Sequence, residues 1–192
     1  MTHMRQEDAV DLLDQVARVR RSTRLSVGAL WFPLVLFGFL SLVSGAVSWR
    51  VGADALGAYW LVAAPIGSVA TSLFYRRRER RVGLEMPAGP ALLAVAVIIL
   101  GAFGTGALGG ALGAETLSAV GPPLFVSVGY LMFARLERSL LLGGVAAGLA
   151  VTALAVAVAG MAAAEAATLL AVVYGVTLML TGLAYRIRAG QS

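Results

Sequence analysis

Apolar residues run along this chain in six blocks of about 20, separated by short polar or glycine-containing breaks, with arginines gathered at every second break. A hydrocarbon core roughly 30 Å thick takes about 20 residues of helix rising 1.5 Å each, so every block has the length of one crossing. The pattern predicts transmembrane helices at 28–48, 56–75, 91–112, 117–134, 139–160 and 166–185. The expected fold is all-α: a six-transmembrane-helix bundle over 28–185, with a tail at 186–192. Trp31 and Trp49 bracket the first block, and Tyr59, Trp60 and Tyr75 bracket the second, as amphipathic rings do at headgroup depth.

Residues 1–27 are polar and of mixed charge, which predicts neither a span nor a cleaved signal peptide. Ala9, Leu12, Leu13, Val16 and Val19 recur at helical spacing, with Asp8, Asp11 and Asp14 early and Arg18, Arg20, Arg21 and Arg24 late. Acid first and base last suits the helix dipole, so a short cytoplasmic amphipathic helix is expected. Its apolar stripe is open to three readings: a partner-docking face, a face lying on the bilayer with arginines at anionic headgroups, or a solvated lead-in.

Composition agrees with lipid as the solvent. Of 192 residues 59% are hydrophobic and 13% charged, with a mean hydropathy of +0.87, against roughly 45–50% and 25% in a soluble domain. Lysine, asparagine and cysteine are absent, a bias expected of a GC-rich bacterial genome. Without cysteine there is no disulfide framework and no thiolate metal site. The net charge of +5 does not indicate nucleic acid, because the arginines sit beside spans rather than on a soluble basic domain.

Arginine resists translocation, and fourteen of the fifteen fall on one side of a six-span chain. They lie in the N-terminal segment, in the 76–90 loop (Arg76, Arg77, Arg78, Arg80, Arg81), at Arg135 and Arg138, and at Arg186 and Arg188; Arg50 alone faces out. The expectation is a bacterial plasma-membrane protein with both termini cytoplasmic. Arg18, Arg21, Arg24, Arg76, Arg77, Arg78, Arg80 and Arg81 are the expected contacts to anionic lipid headgroups.

The three hairpins share a weak likeness. Outer turns read Gly52-Ala53-Asp54, Gly113-Ala114-Glu115 and Ala163-Ala164-Glu165, each followed about 20 residues later by an aromatic and arginine-rich end. A threefold repeat would give this. So would a carboxylate at each helix N-terminus combined with the positive-inside rule, which is the simpler account.

Gly104-Thr105-Gly106-Ala107-Leu108-Gly109 spells a dinucleotide fingerprint, but it lies within an apolar block rather than at a strand–helix turn, and nothing acidic lies between Glu115 and Glu137. Helix packing explains these glycines better. Gly101, Thr105, Gly109 and Gly113 fall on one face at intervals of four, and Gly144, Gly148, Thr152 and Gly160 nearly so. Small residues let helix backbones approach in lipid, which marks spans three and five as inner or dimer-forming helices. A broken or re-entrant helix over 101–113 is the alternative.

Catalytic machinery is not assembled. His3 is the sole histidine, no span carries a clear mid-membrane charge, and Asp54, Glu115 and Glu165 sit at outer helix ends where the dipole accounts for them. No catalytic residue, cofactor or metal is expected. The remaining polarity is mild: Pro65, Ser68 and Ser72 on span two, Ser127 and Tyr130 after the Pro122-Pro123 pair on span four, and Tyr174, Thr177, Thr181 and Tyr185 along span six. Proline frees carbonyls for nearby hydroxyls, so this set forms either a seam packed against spans two and four or a cavity for a lipophilic ligand. The seam is the expected arrangement.

Trp31-Phe32-Pro33 through Phe37-Gly38, Tyr59-Trp60-Leu61-Val62-Ala63-Ala64-Pro65 and the Tyr75-Arg76-Arg77-Arg78 exit look like a group of functionally uncharacterised small multi-pass membrane proteins of actinobacteria. That resemblance covers mainly the first hairpin and implies no activity, cofactor or site. The functional expectation is a non-enzymatic membrane scaffold or regulatory subunit engaging anionic lipid or a partner on its cytoplasmic face, with homo-oligomerisation open; a small transporter or binder of a lipophile is the alternative.

Overall fold

In a medium without water every backbone N–H and C=O must be satisfied within its own segment, so blocks of Ala, Leu, Val and Ile become helices. The computed structural model describes residues 30–82 and 89–190 and contains six of them. They are α1 Trp31–Val51, α2 Ala55–Val82, α3 Gly89–Ala111, α4 Glu115–Leu136, α5 Leu140–Val158 and α6 Ala163–Gly190. All six are long and apolar enough to cross a membrane, and there is no strand among the described residues. The chain is an all-helical, multi-pass integral membrane protein. The expected amphipathic helix, with Arg18, Arg21 and Arg24, lies outside the described residues.

Two helices run well past their expected ends. The 76–90 segment begins as helix, because α2 continues to Val82, and α6 continues to Gly190. Hydropathy marks where lipid ends, whereas arginine and glutamate are good helix formers that carry the helix onward. At 28 residues each, these helices are about 42 Å long, beyond the ~30 Å hydrocarbon core. The broken-helix alternative is not what forms over 101–113: α3 is continuous to Ala111 and then stops at Gly113, where φ is 65° and the Ala114 N–H donates to the Gly109 carbonyl at 2.8 Å.

The last helix is the centre. Within its spanning stretch 44% of α6 is buried, against 11% for α2 and for α3. It packs on α1, α4 and α5, while α2 lies chiefly on α1 and α3 on α4. The three sequential hairpins close unequally, tightly in α3–α4 and loosely in α5–α6, so the threefold likeness is not repeated in packing.

Close backbone contact joins α1 to α6 across glycines seven residues apart on each helix. A Cβ at Gly38 would stand 2.8 Å from the Met179 nitrogen and 2.9 Å from the Gly175 carbonyl oxygen. One at Gly175 would stand 2.9 Å from the Gly38 carbonyl oxygen, and one at Gly182 the same distance from that of Trp31. These are backbone atoms that cannot yield, so the helices touch there only because the side chains are absent. Gly45 continues the line more loosely against Ala171, and the fully buried Leu34 and Leu178 lie on the same two helices. Heptad spacing of small residues on both partners keeps the contact facing along the antiparallel pair.

Helices α3 and α4 use reciprocal notches. Gly101 receives the Phe125 ring and Gly109 receives Ser118, while Gly121 receives Thr105 and Gly129 receives Ile98. Gly101, Thr105 and Gly109 therefore lie in a helix contact. Four of the other glycines expected to pack do something else. Gly113 and Gly160, at φ 65° and 62°, stop α3 and α5 with open space around them. Gly144 and Gly148 lie on the exposed side of α5 with no atom within 4 Å of a built Cβ. Spacing alone does not say which helix face is inside, and on α5 the inner face is Leu142, Ala146, Leu149, Ala153 and Val156.

Candidate functional site

Polar groups gather inside the bundle where α4, α5 and α6 meet. The Tyr174 hydroxyl lies 2.7 Å from Ser127 Oγ, 3.1 Å from the Pro123 carbonyl and 3.0 Å from the Leu149 carbonyl. Ser127 also donates to the Pro123 carbonyl at 3.1 Å. The two hydroxyls have one proton each to divide among these four contacts, and both side chains are buried, Ser127 completely. Ser127 stands one turn after Pro123 on α4, so its hydroxyl reaches back to the Pro123 carbonyl, whereas the carbonyls that Pro122 and Pro123 leave without helical donors are those of Ser118 and Ala119, a turn earlier. The arrangement pins three helices with a closed hydrogen-bonded junction.

The rest of the α6 stripe behaves as a seam too. Thr181 is buried and donates back to the Thr177 carbonyl at 2.7 Å, and the buried Tyr185 hydroxyl bonds Ser139, which caps α5 by accepting from the Leu142 N–H. Thr177 and Tyr130 are half-buried, the latter packed on the core. The partners differ from the expected ones, since α5 takes the place of α2. Pro65 and Ser72 are exposed and Ser68 half-buried on α2, which meets α1 through Gly67, the Phe32–Phe74 stack and a Tyr59 hydroxyl bond to the Leu40 carbonyl at 2.8 Å. The buried Thr71 hydroxyl on α2 has no hydrogen-bond partner, so the mild polarity of this helix does not mark a polar contact.

The second concentration of chemistry is at one end of the bundle. Helices α2, α4 and α6 finish there and α1 begins there, which collects Arg76, Arg77, Arg78, Arg80, Arg81, Arg135, Arg138, Arg186 and Arg188. Arg186 stacks over the Trp31 ring at 5.0 Å, a cation–π contact tying the end of α6 to the start of α1. Arg76, Arg77 and Arg80 are exposed along the helical extension of α2. At the opposite end stand Arg50, itself 5.1 Å over Trp49, with Asp54, Glu115 and Glu165.

Sequence reasoning passed over the α4–α5 turn. An open hollow of about 480 Å³ lies there, bordered by Arg135, Arg138, Leu131, Leu140, Gly143 and Gly144. Arg138 holds a φ of 50°, the left-handed conformation that glycine supplies at the other stops. The Ser139 N–H donates to the Ala134 carbonyl at 2.9 Å, closing α4 over that residue. Among the described residues no three His, Cys, Asp or Glu side chains cluster as a metal site requires. Comparison with protein-family models, with curated proteins and with solved structures finds no match.

Proposed function

We propose that this protein is a non-enzymatic module of the bacterial plasma membrane, a scaffold or regulatory subunit whose arginine-bearing end engages anionic lipid and a partner at the cytoplasmic surface. The observation that carries the reading is the gathering of arginines at one end, with α2 and α6 continuing as helices beyond the length a bilayer requires. Helical extensions hold their guanidiniums at fixed heights over the headgroups, where each is worth about 1 kcal/mol against an anionic surface. The positive-inside rule makes this end cytoplasmic, with both termini on that side.

The transport reading needs an opening beside the mid-membrane hydroxyls. The closed junction at Tyr174, Ser127 and the Pro123 and Leu149 carbonyls counts against it. Native mass spectrometry of the protein extracted with its surroundings tests the choice: retained anionic phospholipid and a stoichiometric companion chain or second copy are expected. Proteoliposomes containing the protein alone that move a lipophilic solute between leaflets would put transport first. Orientation is read with single cysteines in this cysteine-free chain. Ala53→Cys, Ala114→Cys and Ala163→Cys should react with impermeant thiol reagents on whole cells, and Gly83→Cys only after lysis.

A further inference from the structure

The hollow at the α4–α5 turn combines three features. Its rim carries two guanidiniums, Arg135 in the last turn of α4 and Arg138 in the turn itself, both exposed and neither in an ion pair with a described residue. Glu137, between them in sequence, is half-buried and does not line it. Its wall is apolar, made by Leu131, Ala134 and Leu140. Gly143 and Gly144, in the first turns of α5, line it without side chains.

Those two glycines are not there to admit a neighbouring helix. A Cβ at Gly143 would make only ordinary contact, 3.7 Å from Ala134 Cβ, and one at Gly144 would meet nothing within 4 Å. Gly38 and Gly175, by contrast, are forced by backbone contact. Beyond Gly144 the same side of α5 is exposed at Ala147, Gly148 and Val151, in the direction of the helix middle. Arg138 is equally unforced by folding. The outer stops use glycine at positive φ, as at Gly113 and Gly160, whereas this stop holds an arginine in a conformation that L side chains rarely adopt.

We infer that the α4–α5 hollow is a binding site for one anionic phospholipid, its headgroup phosphate held between Arg135 and Arg138 and an acyl chain laid over Gly143 and Gly144 along α5. A guanidinium fork matches phosphate oxygens in geometry and charge, and the hollow lies at the arginine-bearing end of the apolar helix α4. The inference rests on the proposed orientation and lipid-facing role of the arginine end and gives that role one discrete address.

The test uses the full chain in detergent, titrated with phosphatidylglycerol or phosphatidylcholine and read by native mass spectrometry, with thermal unfolding of every variant. The wild type should hold one phosphatidylglycerol in preference to phosphatidylcholine. Arg135→Gln and Arg138→Gly should each lower that preference about fivefold, and together about 30-fold. Arg138→Gly separates binding from folding, because glycine suits the left-handed turn and the melting temperature should hold or rise. Gly144→Leu should also weaken retention without any change of charge. Arg76→Gln/Arg77→Gln/Arg80→Gln should leave the single tight lipid in place while reducing further, looser ones.

If Arg135→Gln/Arg138→Gly keeps the wild-type preference and the α2 variant loses it, the hollow is not the site although the arginine end still engages lipid. No loss in either variant overturns both readings. Displacement of the lipid by millimolar inorganic phosphate would make this a site for a free anion and overturn the lipid assignment.

Discussion

Two glycine-bearing regions of this protein are opposite in structure. Along α1 and α6, Gly38 and Gly175 sit among large residues and are pressed backbone to backbone. At the start of α5, Gly143, Gly144 and Gly148 stand in a run of small residues and press on nothing closer than ordinary contact. Glycine in a membrane helix therefore carries two different messages. Where a Cβ would strike a carbonyl or amide, glycine is a steric demand; where it would meet open space, the absent side chain shapes a surface. The partner's backbone tells the two apart.

Substitutions that add volume should separate these regions sharply. Gly175→Leu drives a branched side chain into Leu42 and the Gly38 carbonyl and should cost more than about 3 kcal/mol or prevent folding, measured by thermal or chemical unfolding in detergent. Tyr174→Ala removes both a buried ring and the junction hydroxyl, with an expected loss of about 3 kcal/mol. Gly38→Ala adds one methyl against the Met179 nitrogen and Gly175 oxygen, and about 1–3 kcal/mol is expected. Thr181→Val keeps the shape and loses one hydroxyl bond, for about 0.6 kcal/mol.

Gly148→Leu should cost under about 0.5 kcal/mol, as an outward substitution away from any contact. Equal losses for Gly148→Leu and Gly175→Leu would erase the contrast. A changed oligomeric state in Gly148→Leu, with unfolding untouched, would sharpen it by showing that a second copy covers that face of α5.

The number of helices, their type and the gathering of arginines were legible because a bilayer imposes length and apolarity segment by segment. Neighbourhood was not legible. Lipid-facing and helix-facing positions are both apolar, so a hydrophobic stripe does not mark the inside as it does in water. The intervals of four at Gly101, Thr105 and Gly109 found a contact, while the same interval at Gly144 and Gly148 found an exposed face. The signal overlooked was the interval of seven shared by Gly38 and Gly45 with Gly175 and Gly182, isolated glycines between bulky residues. For Tyr174 the inward direction could be read from its hydroxyl stripe, but its α5 partner, the Leu149 carbonyl, is a backbone atom without a sequence signature. The α4–α5 hollow depends on a φ of 50° at Arg138, which residue type would argue against.

The seam between α1 and α6 also sets an order of events during synthesis. Gly38 leaves the ribosome 137 residues before Gly175, since 175 − 38 = 137, an interval of roughly 7–27 s at 5–20 residues per second. Throughout that time the first helix waits in the bilayer with its Gly38–Gly45 face uncovered, because that face packs on α6. Insertion of the early spans and completion of the native bundle are therefore separate steps, and the second is gated by the arrival of the final helix. A chain halted after α5 would be inserted, helical and incomplete, and its unoccupied Gly38–Gly45 face is the feature by which membrane quality control could distinguish it from the finished protein.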